Sequence, residues 1–159
     1  MQKRTNLKTS ILLYGESDGK KFERTFTIIK KIEEGASSVC YEACHENSGR
    51  GVLKEFYPCS ICGLNRNAAG QIMQKDCSDD DRKAFERAKQ EYIEPYQRML
   101  EIKRTCESSE LESFIPDFEI YYGCEALKET CENKSQYHAA GTVYIWMPRP
   151  RLETFDKIC

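Results

Sequence analysis

Residues 35–58 read Gly35-Ala36-Ser37-Ser38-Val39-Cys40-Tyr41-Glu42-Ala43-Cys44-His45-Glu46-Asn47-Ser48-Gly49-Arg50-Gly51-Val52-Leu53-Lys54-Glu55-Phe56-Tyr57-Pro58, and the expected fold turns on them. Gly35 to Ser38 are four small residues suited to a tight turn. Val39 to Cys44 then predict a strand, and Asn47-Ser48-Gly49 is turn chemistry. Gly51 to Tyr57 predict the next strand, which Pro58 stops. Just upstream, Phe22 to Lys31 places β-branched and aromatic residues at near-alternate positions, the mark of another strand. Three strands joined by two tight turns predict an antiparallel meander.

Further out, Ser10–Tyr14 is a candidate short strand within a polar N-terminal stretch. On the other side, Cys59 to Cys77 carries Gly63, Asn65, Asn67 and Gly70 and is expected to be an inserted loop. Ser78 followed by Asp79, Asp80 and Asp81 predicts a helix start, a hydroxyl cap followed by acids against the positive end of the helix dipole. The helix is expected to run to about Arg104 with Phe85, Ala88, Tyr92, Tyr96, Met99 and the stem of Lys103 on one face. Pro95 is expected to kink or divide it. Two more strands are expected at Phe118–Gly123 and Thr142–Met147, with a polar connection, Cys124 to Ala140, between them. Leu152–Cys159 begins another helix.

The length of 159 residues suits one domain, and 40% hydrophobic with 31% charged residues is a globular mixture. Lys and Arg number 24 against 26 Asp and Glu, so the net charge of −2 gives no pull toward nucleic acid or an anionic membrane. Gly141 to Pro148 is the longest charge-free apolar stretch and far short of a spanning helix, and Ile11–Tyr14 is too short for a signal-peptide core. A cytoplasmic location is expected. The nine cysteines then read as reduced thiols. Cys59-Ser60-Ile61-Cys62 has the spacing of a zinc knuckle, with Cys77 near by, but Cys40, Cys44 and His45 supply no second knuckle, so no metal site is assigned.

In this order, Ile32 to Ala43 resembles the glycine-rich loop and second strand of protein kinases, and Gly51-Val52-Leu53-Lys54-Glu55-Phe56 resembles their lysine-bearing strand. Tyr144-Ile145-Trp146-Met147, with Pro148 and Arg149, resembles the strand that enters the hinge. The closest likeness is to bacterial Ser/Thr-kinase-like proteins. The resemblance implies an α+β fold, a kinase N-lobe of a twisted five-stranded antiparallel sheet with one long helix. Residues 1–24 would be an N-terminal extension and 25–159 the lobe, with the insertion at about 59–77 and the hinge at about 147–152.

It also implies a site. Gly35, Ala36, Ser37 and Ser38 would cover the phosphates of ATP, and Lys54 would contact them. Cys40, Val52 and Met147 would surround adenine, and Arg149 would lie at the hinge. A helix glutamate would hold the lysine, Glu91 first and Glu94 as runner-up. The family pattern is incomplete here. Of its three glycines only Gly35 remains, with Glu33 and Ser38 at the other two positions. Neither His45 nor His138 precedes an Arg-Asp pair, and Asp117-Phe118-Glu119 reads as a strand start. The expected protein would therefore bind Mg-ATP in company with a C-lobe beyond this chain, and weakly at best without one. Its alternative is a pseudokinase-like protein-interaction module, and apolar residues such as Leu152 and Phe155 suggest self-association.

Overall fold

A computed structural model describes residues 4–7, 9–17, 19–105, 117–123 and 141–148. Expectations on Arg149, the end of the hinge, the 124–140 connection and the C-terminal helix lie outside them. The strands are β1 (Ser10–Ser17), β2 (Lys20–Glu34), β3 (Ser38–His45), β4 (Gly49–Phe56), β5 (Asn65–Arg66), β6 (Ile72–Met73), β7 (Glu119–Tyr122) and β8 (Val143–Pro148), and α1 is Asp79–Thr105. No helix among the described residues is long and apolar enough to cross a membrane.

Six strands close into an antiparallel barrel in the order β1-β2-β3-β4-β8-β7, with β7 meeting β1 again. This corrects the fold expectation: the sheet is not the open five-stranded sheet of a kinase N-lobe. The difference lies in β1. It pairs with β2 along its whole length, from Ser10↔Thr27 to Ser17↔Lys20, and touches β7 through Tyr14↔Tyr122. The long β2 makes the closure possible, because its first half serves β1 and its second half serves β3. Register shifts between Ile28 and Lys30 and between Lys31 and Glu33 mark irregularities of the bulge type, which bend a strand and raise its twist. Ile29, the residue skipped at the first shift, is exposed.

The period-two pattern of the strands sorts side chains into two cores. Ile11, Leu13, Phe26, Val39, Tyr41, Leu53, Tyr121, Tyr144 and Trp146 fill the barrel interior. Phe26 stands at its centre, edge-on to His45, Tyr121 and Trp146 at centroid distances of 5.0, 5.0 and 5.1 Å. Gly51 is small for a packing reason, since a Cβ there would lie 2.4 Å from the Met147 carbonyl oxygen and 2.6 Å from the Trp146 ring.

The second core lies outside the barrel, where α1 covers Phe56, Val143, Ile145, Ile120 and Tyr122. Ser78 caps this helix through Oγ, which accepts the Asp81 amide at 3.1 Å. Asp79, Asp80 and Asp81 occupy the first turn. The division expected at Pro95 does not occur, for α1 is one helix of 27 residues. Pro95 cannot donate to the Glu91 carbonyl, but both residues are exposed, so water can take the donor's place. The stretch expected to be a loop at 59–77 contributes Ile61, Leu64, Ile72 and Cys77 to the second core and contains the β5–β6 hairpin.

Candidate functional site

Lys54 is the point around which the predicted site residues can be placed. It lies on the outer face of β4, between Cys40 of β3 and Ile145 of β8 in the ladder. Two residues earlier, Val52 lies between Glu42 and Met147. Alternation therefore brings Cys40, Val52, Lys54 and Met147 onto one face, as four of the predicted site residues require.

Helix α1 borders this face with a row of rings. Phe56 stacks on Tyr92 at 4.7 Å between centroids, Tyr92 lies 5.8 Å from Tyr96, and Tyr96 lies 5.5 Å from Phe118. The half-buried Lys54 ammonium donates to the Tyr96 hydroxyl at 3.4 Å. It makes no ion pair with Glu91 or Glu94. Both glutamates are exposed, and Glu94 pairs with Arg98 on its own helix. The structure thus sets a phenol opposite the lysine where the sequence suggested a carboxylate.

The Tyr92 hydroxyl is buried beside Ser38, Cys40 and Tyr96 without reaching hydrogen-bond geometry. Burial, with the neighbouring Tyr96, pushes its phenol well above the usual range, so it stays protonated and able to donate. An ammonium, two phenols, a thiol and a hydroxyl converge here. This set is rich in donors and suits an anion.

The turn of Gly35 to Ser37 is exposed, and Ser38 is half-buried. The Gly35 amide donates to the Ser38 carbonyl at 2.9 Å. The Ala36 and Ser37 carbonyls accept from the Cys59 and Tyr57 amides at 3.0 and 2.9 Å. These bonds tie the turn to the end of β4 and the start of the insertion. Gly35 does not have a positive φ, and a Cβ there would meet only the Ser38 carbonyl oxygen at 3.7 Å. The fold itself does not demand glycine at this position.

Two charged features were not found by sequence reasoning. Glu42, next to Val52, is nearly buried and lies 3.8 Å from Lys30 and 3.7 Å from Arg50. Arg66 reaches from the insertion to the buried Glu55 with two parallel bonds of 2.8 and 2.9 Å. Tyr144 donates to the same carboxylate at 2.8 Å, and Arg66 also donates to the Gly70 and Thr5 carbonyls at 2.8 and 2.6 Å. Burial opposes the Arg66 charge, but bonding and attraction to Glu55 outweigh it and raise its pKa. Nearby, burial and the Glu55 charge push the Tyr41 phenol up to about 12. No sequence motif announces this pair, whose members belong to separate elements.

A further depression of about 480 Å³ is lined by Asn6, Leu7, Ser10, Asn67 and Gly70 among others, and shares no lining residue with the Lys54 face. No group of three or more His, Cys, Asp or Glu among the described residues is arranged to hold a metal ion, so magnesium brought by a nucleotide would gain no protein cage there. Comparison with protein-family models, curated proteins and solved structures gives no match for this chain. Together with the closed barrel, this removes the support for membership of the kinase family.

Proposed function

We propose that the outer face of β3, β4 and β8 beside α1 binds an adenine nucleotide of the ATP type, without a catalytic group of its own. Lys54 contacts the phosphates, with Tyr96 holding its ammonium and Tyr92 offering a further donor. Cys40, Val52 and Met147 supply apolar surface for the base. One observation carries the reading: a half-buried ammonium whose partner is a phenol at 3.4 Å, with no carboxylate of the described residues at ion-pair distance. Such a cation has charge left to satisfy, and a phosphate oxygen is its natural complement. The exposed Gly35–Ser37 turn stands at the end of the same strands, where small side chains let a ligand approach the backbone.

Titration calorimetry of the chain with Mg-ATP tests the proposal. Weak binding is expected, with a dissociation constant above the micromolar range, because no carboxylate cluster among the described residues helps to hold the metal. Lys54→Met should weaken it by about tenfold or more, the scale of one lost charge-assisted hydrogen bond. Affinity unchanged by that substitution removes Lys54 from the site. No binding at all by the folded chain favours the alternative, a protein-interaction module.

A further inference from the structure

The insertion between β4 and α1 carries Cys59, Cys62 and Cys77, and the structure gives them different surroundings. Cys62 is exposed. Cys77 is buried, and its thiol donates to the Cys62 carbonyl oxygen at 3.2 Å. Between them the chain doubles back in close contact. Gly63 has φ of 88°, and a Cβ there would fall 2.5 Å from the Asp76 carbonyl oxygen and 2.8 Å from the Cys77 Cα. Only glycine allows this approach, which brings the residue beside Cys62 against the backbone of Cys77. Cys59 is anchored elsewhere, by its amide on the Ala36 carbonyl.

We propose that Cys62 and Cys77 are a thiol pair that closes to an intrachain disulfide on reaction with a low-molecular-weight disulfide. The Cys62 thiolate attacks one sulfur of the small disulfide, whose S–S bond breaks, and the first small thiol leaves after taking up a proton. Cys77 then loses its proton and attacks the Cys62 sulfur of the mixed disulfide, and the second small thiol leaves. Two protein thiols are oxidised by two electrons, and the small disulfide is reduced to two thiols. Exposure assigns the order, because Cys62 is the exposed member of the pair and Cys77 the buried one. Burial raises the Cys77 thiol, as fits a group that reacts only once its partner sulfur is activated at close range.

The bridge would join the two ends of the segment that carries the β5–β6 hairpin and Arg66. Cys77 immediately precedes Ser78, the cap of α1, so oxidation would also fasten the start of the helix to the insertion. The pair thus offers a redox control over an element that borders the Lys54 face.

The test is to treat the full chain with oxidised glutathione, block remaining thiols by alkylation, and map tryptic peptides without reduction. A cross-link between peptides 55–66 and 76–82 is expected, and it should persist in Cys59→Ser. It should vanish in Cys62→Ser, while Cys77→Ser should leave a stable glutathione adduct on Cys62. The oxidised wild type should also melt several degrees above the reduced form. A Cys59–Cys62 bridge in its place, or a lasting glutathione adduct on wild-type Cys62, overturns the proposal.

Discussion

His45 closes the β3–β4 hairpin in one protonation state. Its Nδ1 accepts the Asn47 and Ser48 amides at 2.9 and 3.3 Å, which leaves Nε2–H to donate to the Tyr121 hydroxyl at 3.1 Å. A second proton on the ring would destroy the acceptor that holds the turn. Burial lowers its pKa below the ordinary 6.5, reinforced by Arg24, while Glu119 and Glu46 pull the other way. The unfolded chain therefore takes up this proton at higher pH than the folded one, and stability drops as pH falls below about 6.5 toward the folded value. The urea midpoint should fall over that range in the wild type and less steeply in His45→Gln; parallel curves would show that His45 carries none of the effect. At this scale the Lys54 face was legible, because alternation alone puts Cys40, Val52, Lys54 and Met147 on one side. Its helix partner was not. A glutamate beside the Ala88–Tyr92 face satisfies the pattern, but Lys54 meets Tyr96, one turn further along.

Among the elements, the insertion departs most from expectation. Its Gly and Asn residues do mark turns, yet Ile61, Leu64 and Ile72 pack in the core that α1 covers. The Glu55–Arg66 pair fixes it to the barrel, with side-chain exposures of 0% and 9%. Breaking one side of such a pair strands a buried charge. Arg66→Met should therefore cost about 3–5 kcal/mol in urea unfolding, against well under 1 for an exposed pair such as Arg98–Glu94. A loss below about 1 kcal/mol for Arg66→Met would mean that water reaches Glu55 and that the insertion is looser than described. The sequence concealed this pairing because local composition reports turns, whereas burial depends on what the turn lands against. The same limit applies to α1. Its cap, acidic first turn and length were legible, but Pro95 suggested a kink or a division, and the helix is not divided there, on a side that meets solvent.

At the scale of the molecule, closure of the barrel rests on β1. Five strands and a long helix could be read from periodicity, turns and caps. Closure could not, because it depends on a contact between chain segments far apart in sequence and on the bend of β2 between them. Ser10–Tyr14 carried a strand signal, but nothing local showed that it would turn a sheet into a barrel. Among the described residues the seam is narrow, a single pairing of Tyr14 with Tyr122, supported by the buried Gln71 side chain, whose amide donates to the Leu12 carbonyl at 2.7 Å. The most direct measurement is a search for cross-strand nuclear Overhauser contacts between Tyr14 and Tyr122 in the isotope-labelled chain, read together with amide exchange along β1. A closed barrel predicts the Tyr14–Tyr122 contact and protected β1 amides. An absent contact, with β1 amides exchanging at the rate of free chain, would contradict it and return the protein to an open sheet.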